Sequence, residues 1–312
     1  MKKLFVMTLA VAALASCSKV EPIEPGYKSA IGFGKSFIDN TTKAAQLGEL
    51  NKTALKDFAV WANESGAAIL TNEEVSLSGS EWGYTNTRFW HPSNSYEFYA
   101  IAPYEAAEVG LTDNVPTTIT YTLADGDIED QVDLLYATQT ASTIAPSVAP
   151  ATVDFTFNHL LSKVQFTFTN AHVALSNYYV KINDVTITAK NKSTLTIGGN
   201  WAVAGDAGDA ILKFDTFNGD AAFAPQATGV SDVQSLLIPN TDVTIAGTAE
   251  IYVGDEVQLV ETRPFAATIP AATFKSGYFY NITADITSEN AIIFSVDDVD
   301  GWDDADAPAV LI

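Results

Sequence analysis

Cysteine is almost absent from this 312-residue chain: Cys17 is the only one. That excludes an intramolecular disulfide and leaves everything after residue 17 without a thiol nucleophile or a thiolate metal site. Histidine is nearly as scarce. His91, His159 and His172 stand in three separate segments, none at the spacing that puts two imidazoles on one strand or helix face, so a zinc site has no frame and the three read as structural. Basic residues are few, 16 against 38 acidic ones, and the first 43 residues hold six of the lysines and three of the acids. The remainder carries 10 basic against 35 acidic side chains, a net charge near −25. Partners bound by phosphate neutralisation, nucleic acid first among them, need a basic patch that such a body does not offer. Helical periodicity is missing too. No window keeps i, i+3, i+4 apolar spacing beyond about 11 residues, the length of an average helix, and the nearest case, Leu47 to Trp61, turns into the strand-like Phe58-Ala59-Val60-Trp61.

The chemistry-bearing motifs are absent in the same way. There is no G-x-S-x-G, no Walker glycine loop and no G-x-G-x-x-G after a strand. The run Val296 to Pro308 holds Asp297, Asp298, Asp300, Asp303 and Asp304, oxygen enough for calcium, but it lacks the D-x-[DN]-x-[DN]-G order with a distal Glu. It reads as a solvated turn, as does Asp125 to Asp130. No catalytic, cofactor or metal residue is expected, and the chain does not read as an enzyme.

What is present begins with a leader. Met1 to Cys17, MKKLFVMTLAVAALASC, has two lysines, an apolar run from Leu4 to Ala15 and then small residues. The run is a secretory h-region, too short for the roughly 20 residues of a spanning helix. Leu14-Ala15-Ser16-Cys17 matches the bacterial lipobox, which makes Cys17 the acylation site of a lipoprotein with residues 1–16 as its signal peptide. Residues 17–29 follow as a charged, Pro-bearing tether.

Beyond the tether the period is 2. Ile31, Phe33 and Phe37 alternate with Gly32 and Gly34 in an apolar strand that ends in Thr41-Thr42-Lys43. Phe155 and Phe157, then Val164, Phe166 and Phe168, alternate with polar residues as half-buried strands do. Val243 to Val253 runs in phase into a reversal at Gly254-Asp255, and Gly198-Gly199-Asn200 separates two short runs as a hairpin turn does. In Tyr178 to Lys190 the apolar parity changes between Ile182 and Val185, which predicts a bulge at Asn183-Asp184. The chain is all-β. The Pro-bearing stretch Tyr136 to Val153 is the best boundary, giving an N-terminal β-sandwich at 30–147 and a C-terminal one at 148–312. Five tryptophans, Trp61, Trp82, Trp90, Trp201 and Trp302, are expected in cores or cross-strand pairs; two of them exposed in one groove would instead signal glycan binding.

Several segments together resemble a known family: the lipobox leader, AIGFGKSFIDNTTKA, KDFAVWA, YEFYAIAPY, DLLYATQ at Asp133 to Gln139, FNHLLSKVQFTF at Phe157 to Phe168, SGYFYNITADI at Ser276 to Ile286 and Gly301-Trp302. In this order they are similar to the fimbrillins of Bacteroidia, the subunits of type V pili. The resemblance implies two tandem transthyretin-like antiparallel sandwiches, export to the outer membrane as a lipoprotein, trimming by an Arg- or Lys-specific, trypsin-like protease, and assembly by strand exchange with other pilin subunits. His159 is then a landmark without a catalytic role. The matching cut falls after Lys43, before Ala44, and removes the strand 30–38; lysine stands where arginine is commoner. A donor segment is sought near the end, in Ile292, Phe294, Val296 and Ala309 to Ile312. The implied place is the cell surface or fimbrium, with a host or bacterial surface ligand as a further partner. Against this stands a surface lipoprotein that does not polymerise and binds glycans through its tryptophans.

Overall fold

The computed structural model describes residues 29–34, 37–38, 55–126, 131–142, 152–214, 216–239, 241–287 and 292–299. In chain order the strands are β1 (Phe37–Ile38), β2 (Asp57–Glu64), β3 (Ala67–Ser78), β4 (Glu81–Gly83), β5 (Ser95–Ala102), β6 (Glu108–Thr112), β7 (Val115–Thr122), β8 (Leu135–Ser142), β9 (Thr156–His159) and β10 (Ser162–Asn170). They continue with β11 (Tyr178–Lys190), β12 (Lys192–Thr196), β13 (Trp201–Val203), β14 (Asp209–Phe214), β15 (Thr228–Val230), β16 (Ser235–Leu237), β17 (Val243–Val253), β18 (Gln258–Ile269), β19 (Phe279–Ile286) and β20 (Ile293–Val299). Among the described residues the only helices are short 3-10 turns.

Among the described residues the strands form four sheets. A seven-stranded sheet, β1-β9-β8-β5-β2-β3-β4, lies against the four-stranded β13-β12-β7-β6. Its strand β2, paired on both sides by β5 and β3, explains the unbroken apolar run in the sequence. Phe58, Val60 and Ala62 point to one face while Ala59 and Trp61 point to the other, and all five are buried. The second sandwich sets β15-β10-β19-β20, with β16 also on β10, against β14-β11-β17-β18. Phe166 and Phe168 of β10 cross to the facing sheet, meeting Phe214 at 4.8 Å and Phe265 at 5.6 Å between ring centroids. Edge-to-face contacts such as the first add about 0.5–1.5 kcal/mol to the burial of the rings.

Local expectations largely hold. The β12–β13 hairpin turns at Gly198, whose φ of +76° suits glycine, and pairs Leu195 with Trp201. Strand β11 shifts register between Asn183 and Thr186, with Asp184 at φ +54°, and the bulge keeps Val180, Ile182, Val185, Ile187 and Ala189 all buried. Among the described strands, β1 pairs with β9 and β10 with β19 in parallel, and the other ladders are antiparallel.

Two stretches differ from their sequence reading. Tyr136 to Ser142, read as the start of a boundary loop, belongs to β8 and pairs with β5 along its whole length; its small and polar residues hide the strand because the backbone ladder holds it. Val296 to Val299, read as the start of an acidic turn, lies in β20 on β19; Asp297 and Asp298 stand opposite Asn281 and Tyr280. Val257 and Leu259, past the reversal at Gly254-Asp255, are exposed. Strand pairing also runs across residue 147: β9 bonds to β8, and β12 bonds to β7.

Candidate functional site: the N-terminal strand and its slot

The segment that opens the described chain ties together the two ends of the seven-stranded sheet. On one side it runs antiparallel to residues 88–90, which follow β4: Ile31 N donates to Arg88 O at 2.7 Å and Trp90 N to Ser29 O at 3.1 Å. On the other it runs parallel to the stretch leading into β9. Val153 N donates to Gly32 O at 2.7 Å and Gly34 N to Val153 O at 3.0 Å, and β1 continues the pairing with Phe37 opposite Thr156 and Ile38 opposite Phe157. Gly34 permits the close approach. A Cβ there would sit 2.1 Å from both the Thr152 hydroxyl and an Asp154 carboxylate oxygen. Tyr84 adds its hydroxyl, donating to Ile31 O at 2.8 Å while accepting from Arg88 N at 3.1 Å.

The side chains fill the space so enclosed. Ile31 is 1% exposed and Phe33 5%. The Phe33 ring stacks on Phe155 at 5.9 Å and meets Phe58, Tyr84 and Phe98 edge-on at 5.9, 5.3 and 6.4 Å. Burying two such side chains contributes about 1.5–3 kcal/mol each before ordering costs. Without the segment, residues 88–90 and 153–157 lose backbone partners and the slot opens onto four aromatic rings. Unpaired strand edges beside apolar surface are what an incoming strand repairs.

A polar cluster holds the 88–96 flank in place. Glu64 Oε1 accepts from the Tyr96 hydroxyl at 2.5 Å, from Asn94 Nδ2 at 2.8 Å and from His91 Nδ1, while His91 N donates to the Tyr96 hydroxyl at 2.6 Å. Burial acts to raise the Glu64 pKa, but the bonds from Tyr96, Asn94 and His91 outweigh it and hold the carboxyl below its ordinary value of 4.5. A depressed carboxylate contributes stability that is present above the ordinary pKa and is lost as pH falls through the depressed one. The stability lead of the parent chain over Glu64→Gln is therefore expected to shrink as pH drops below about 4.5, read as Tm against pH; a constant difference down to the acid limit contradicts the assignment.

The two most telling sequence landmarks prove to be neighbours. Asp133, which opens DLLYATQ, bonds through Oδ2 to Nδ1 of buried His159 at 2.6 Å, and Leu135 lies opposite His159 in the β8–β9 ladder. His172 Nδ1 meets Asn170 Oδ1 at 2.8 Å, and burial, with the Arg263 charge nearby, pushes its pKa down. Among the described residues no three His, Cys, Asp or Glu side chains gather as a metal site. Trp61, Trp90 and Trp201 are buried, and Trp82 packs on Phe58 at 4.9 Å; Trp302 lies outside the described residues. The paired exposed indoles that would mark glycan binding are absent among those described.

Cys17, Lys43 and Ala44 lie outside the described residues, as do Ala309 to Ile312. Phe294 and Val296 of the edge strand β20, and Ile292 just before it, pack on the C-terminal core, with Phe294 5.4 Å from Phe265. Sequence reading found the strand but not its grip. Nothing in Arg88-Phe89-Trp90 alternates over enough residues to announce a strand edge, whereas Phe155 and Phe157 carry the signal for the other edge.

The class so defined is an all-β chain whose N-terminal segment bonds to residues 88–90 on one side and to the approach to β9 on the other. The fimbrillin-like family profile matches residues 42–302, and the chain belongs to that family. A curated relative, fimbrium subunit Fim1C of Phocaeicola vulgatus, is 24% identical over 372 aligned positions covering 98% of both chains. Among solved structures, a fimbrial protein from Bacteroides vulgatus superposes with a TM-score of 0.60 at 19% identity, covering 88% of this chain and 99% of that one. A candidate cell adhesion protein from Bacteroides ovatus superposes at 0.51 and 15% identity, covering 92% and 99%. These likenesses carry the fold. Family membership carries the class of work: a pilus subunit at the cell surface.

Proposed function

We propose that this chain is a structural or adhesive pilin exported as a lipoprotein on Cys17, cut between Lys43 and Ala44 by a trypsin-like protease at the outer membrane, and polymerised when a strand from another subunit takes the slot that residues 29–38 occupy. The observation that carries this reading is the double-edged pairing of the segment, to 88–90 on one side and 153–157 on the other. Such a segment is needed for a closed precursor and is replaceable by any strand of matching period. The family profile begins at residue 42, so the segment stands ahead of the matched region. The role needs no catalytic group, cofactor or metal. Buried tryptophans weigh against the glycan-binding lipoprotein as the alternative.

Lipidation is tested by Cys17→Ala. The variant is expected to lose palmitate labelling and to leave the membrane fraction, since a diacyl anchor is what holds a chain with so short an apolar leader. Unchanged labelling and membrane recovery would contradict the lipoprotein step.

A further inference from the structure

Residues 171–177 join β10 to β11 and display two apolar side chains that the core does not use: Val173 is 73% exposed and Leu175 fully exposed. His172, in the same loop, is buried, and its ring lies 5.2 Å from that of Tyr178. The state of that ring is set by Asn170, fully buried at the end of β10. The Asn170 amide donates through Nδ2 to Tyr178 O and to Phe223 O, both at 2.9 Å, so its orientation is fixed. Its Oδ1 can only accept, and it meets His172 Nδ1 at 2.8 Å and His172 N at 3.3 Å. That assigns the proton of the neutral ring to Nδ1 and leaves Nε2 to take a second one. Beside this bond, Gln226 Nε2 donates to His172 O, and Ala171 N donates to Ile286 O at 2.9 Å.

A second proton on this ring meets a charge of its own sign. Arg263 of β18 is itself buried and reaches the same place: its Nη1 donates at 3.0 Å to Thr287 O, one residue beyond the Ile286 carbonyl that holds Ala171 N. Among the described residues the charges that act on the ring are Arg263 and Glu261, both on β18. The Glu261 carboxylate is committed to Arg263, with Oε1 accepting from Nε at 3.0 Å and Oε2 from Nη2 at 2.9 Å. Burial first and Arg263 second hold the His172 pKa below its ordinary value of 6.5, and Glu261 opposes them without prevailing. A histidine released to water titrates near that ordinary value. The closed loop therefore keeps its full advantage above about 6.5 and loses it as pH falls from there toward the depressed pKa.

We propose that His172 is a pH-sensitive latch: as the neutral ring it pins residues 171–177 to the C-terminal sandwich, and once protonated it leaves Asn170 for water and frees the loop that displays Val173 and Leu175. The device governs how one apolar surface loop is presented. It acts whether or not the chain polymerises, so it stands apart from strand exchange. Asn170 keeps its bonds to Tyr178 and Phe223 in both states, and the release stays local to the loop.

The test is amide hydrogen exchange of the leaderless, uncut protein, followed by NMR at pH values of about 7.5 and about 5, on either side of the histidine range, with each rate divided by the intrinsic rate at that pH. Protection at Ala171 and His172 is expected to be lost at the lower pH while the amides of β17 keep theirs. His172→Gln, which cannot take a second proton, is expected to hold the same protection at both values. Arg263→Gln is expected to shift the midpoint of the His172 ring titration upward, toward 6.5, and to weaken the acid loss; it decides the matter if His172→Gln does not fold. Protection at 171–172 that survives the lower pH, an equal loss in β17, the same acid loss in His172→Gln, or a ring titration that Arg263→Gln leaves unmoved would overturn the proposal.

Discussion

Phe33→Ala is expected to cost the uncut chain about 3–5 kcal/mol, the range for removing a buried phenylalanine ring. The residue is 5% exposed and touches four aromatic rings from β2, β5, the β4-to-β5 connection and the approach to β9. It therefore couples elements far apart in the chain, and the surrounding rings cannot collapse into the space without breaking the pairing on one side. Phe33→Asp is worse, since it adds an unpaired charge to that interior. The measurement is a urea titration of the leaderless, uncut protein, with the midpoint as readout. The two-edged pairing adds a second signature: amide protection should fall at Trp90 and Gly34, whose N–H groups bond across the slot, well before it falls in β17. A midpoint shift under about 1 kcal/mol equivalent, the scale of an ordinary surface change, would mean that the segment is not part of the core.

Lys43→Ala is the second large effect, and its direction is opposite. Stability of the precursor is expected to stay the same, because removing one side chain between the segment and β2 touches none of the pairings that hold residues 29–38. Assembly is expected to stop. While the chain is continuous, the segment is an intramolecular partner whose return to the slot is far faster than the arrival of another subunit's strand. Cutting converts it into a separate ligand that a longer or better-matched strand displaces. The readout is the ladder of detergent-resistant multimers on cells: present for the parent chain, absent for Lys43→Ala, and restored by Lys43→Arg, which keeps the protease's substrate class.

Much of this was legible in the sequence because burial at period 2 writes itself into a strand. Phe155, Phe157, Phe166 and Phe168 were read in phase and are all buried, though the first two serve a different core from the last two. The bulge at Asn183-Asp184 was readable because a parity change has one structural remedy. Strand β8 was missed at its polar end, where Thr138, Gln139 and Thr140 are held by backbone bonding to β5 that leaves no side-chain pattern. The slot was half legible for the same reason. The filling strand and its β9 flank have apolar alternation; the Arg88–Trp90 flank is fixed by Tyr84, Tyr96 and Glu64, whose hydrogen bonds reach from near neighbours to residues tens of positions away and leave no local period. The link between Asp133 and His159 is likewise a contact of the fold, visible in sequence only as two landmarks in order.

The central claim, that the segment closing the precursor is absent from the assembled form, is tested most directly by the N-terminus of the subunit taken from purified fimbriae. Intact-mass and N-terminal peptide analysis is predicted to find a chain beginning at Ala44, with no peptide containing Ile31 or Phe33. A fibre subunit that begins at Cys17 and keeps residues 29–38 would contradict it.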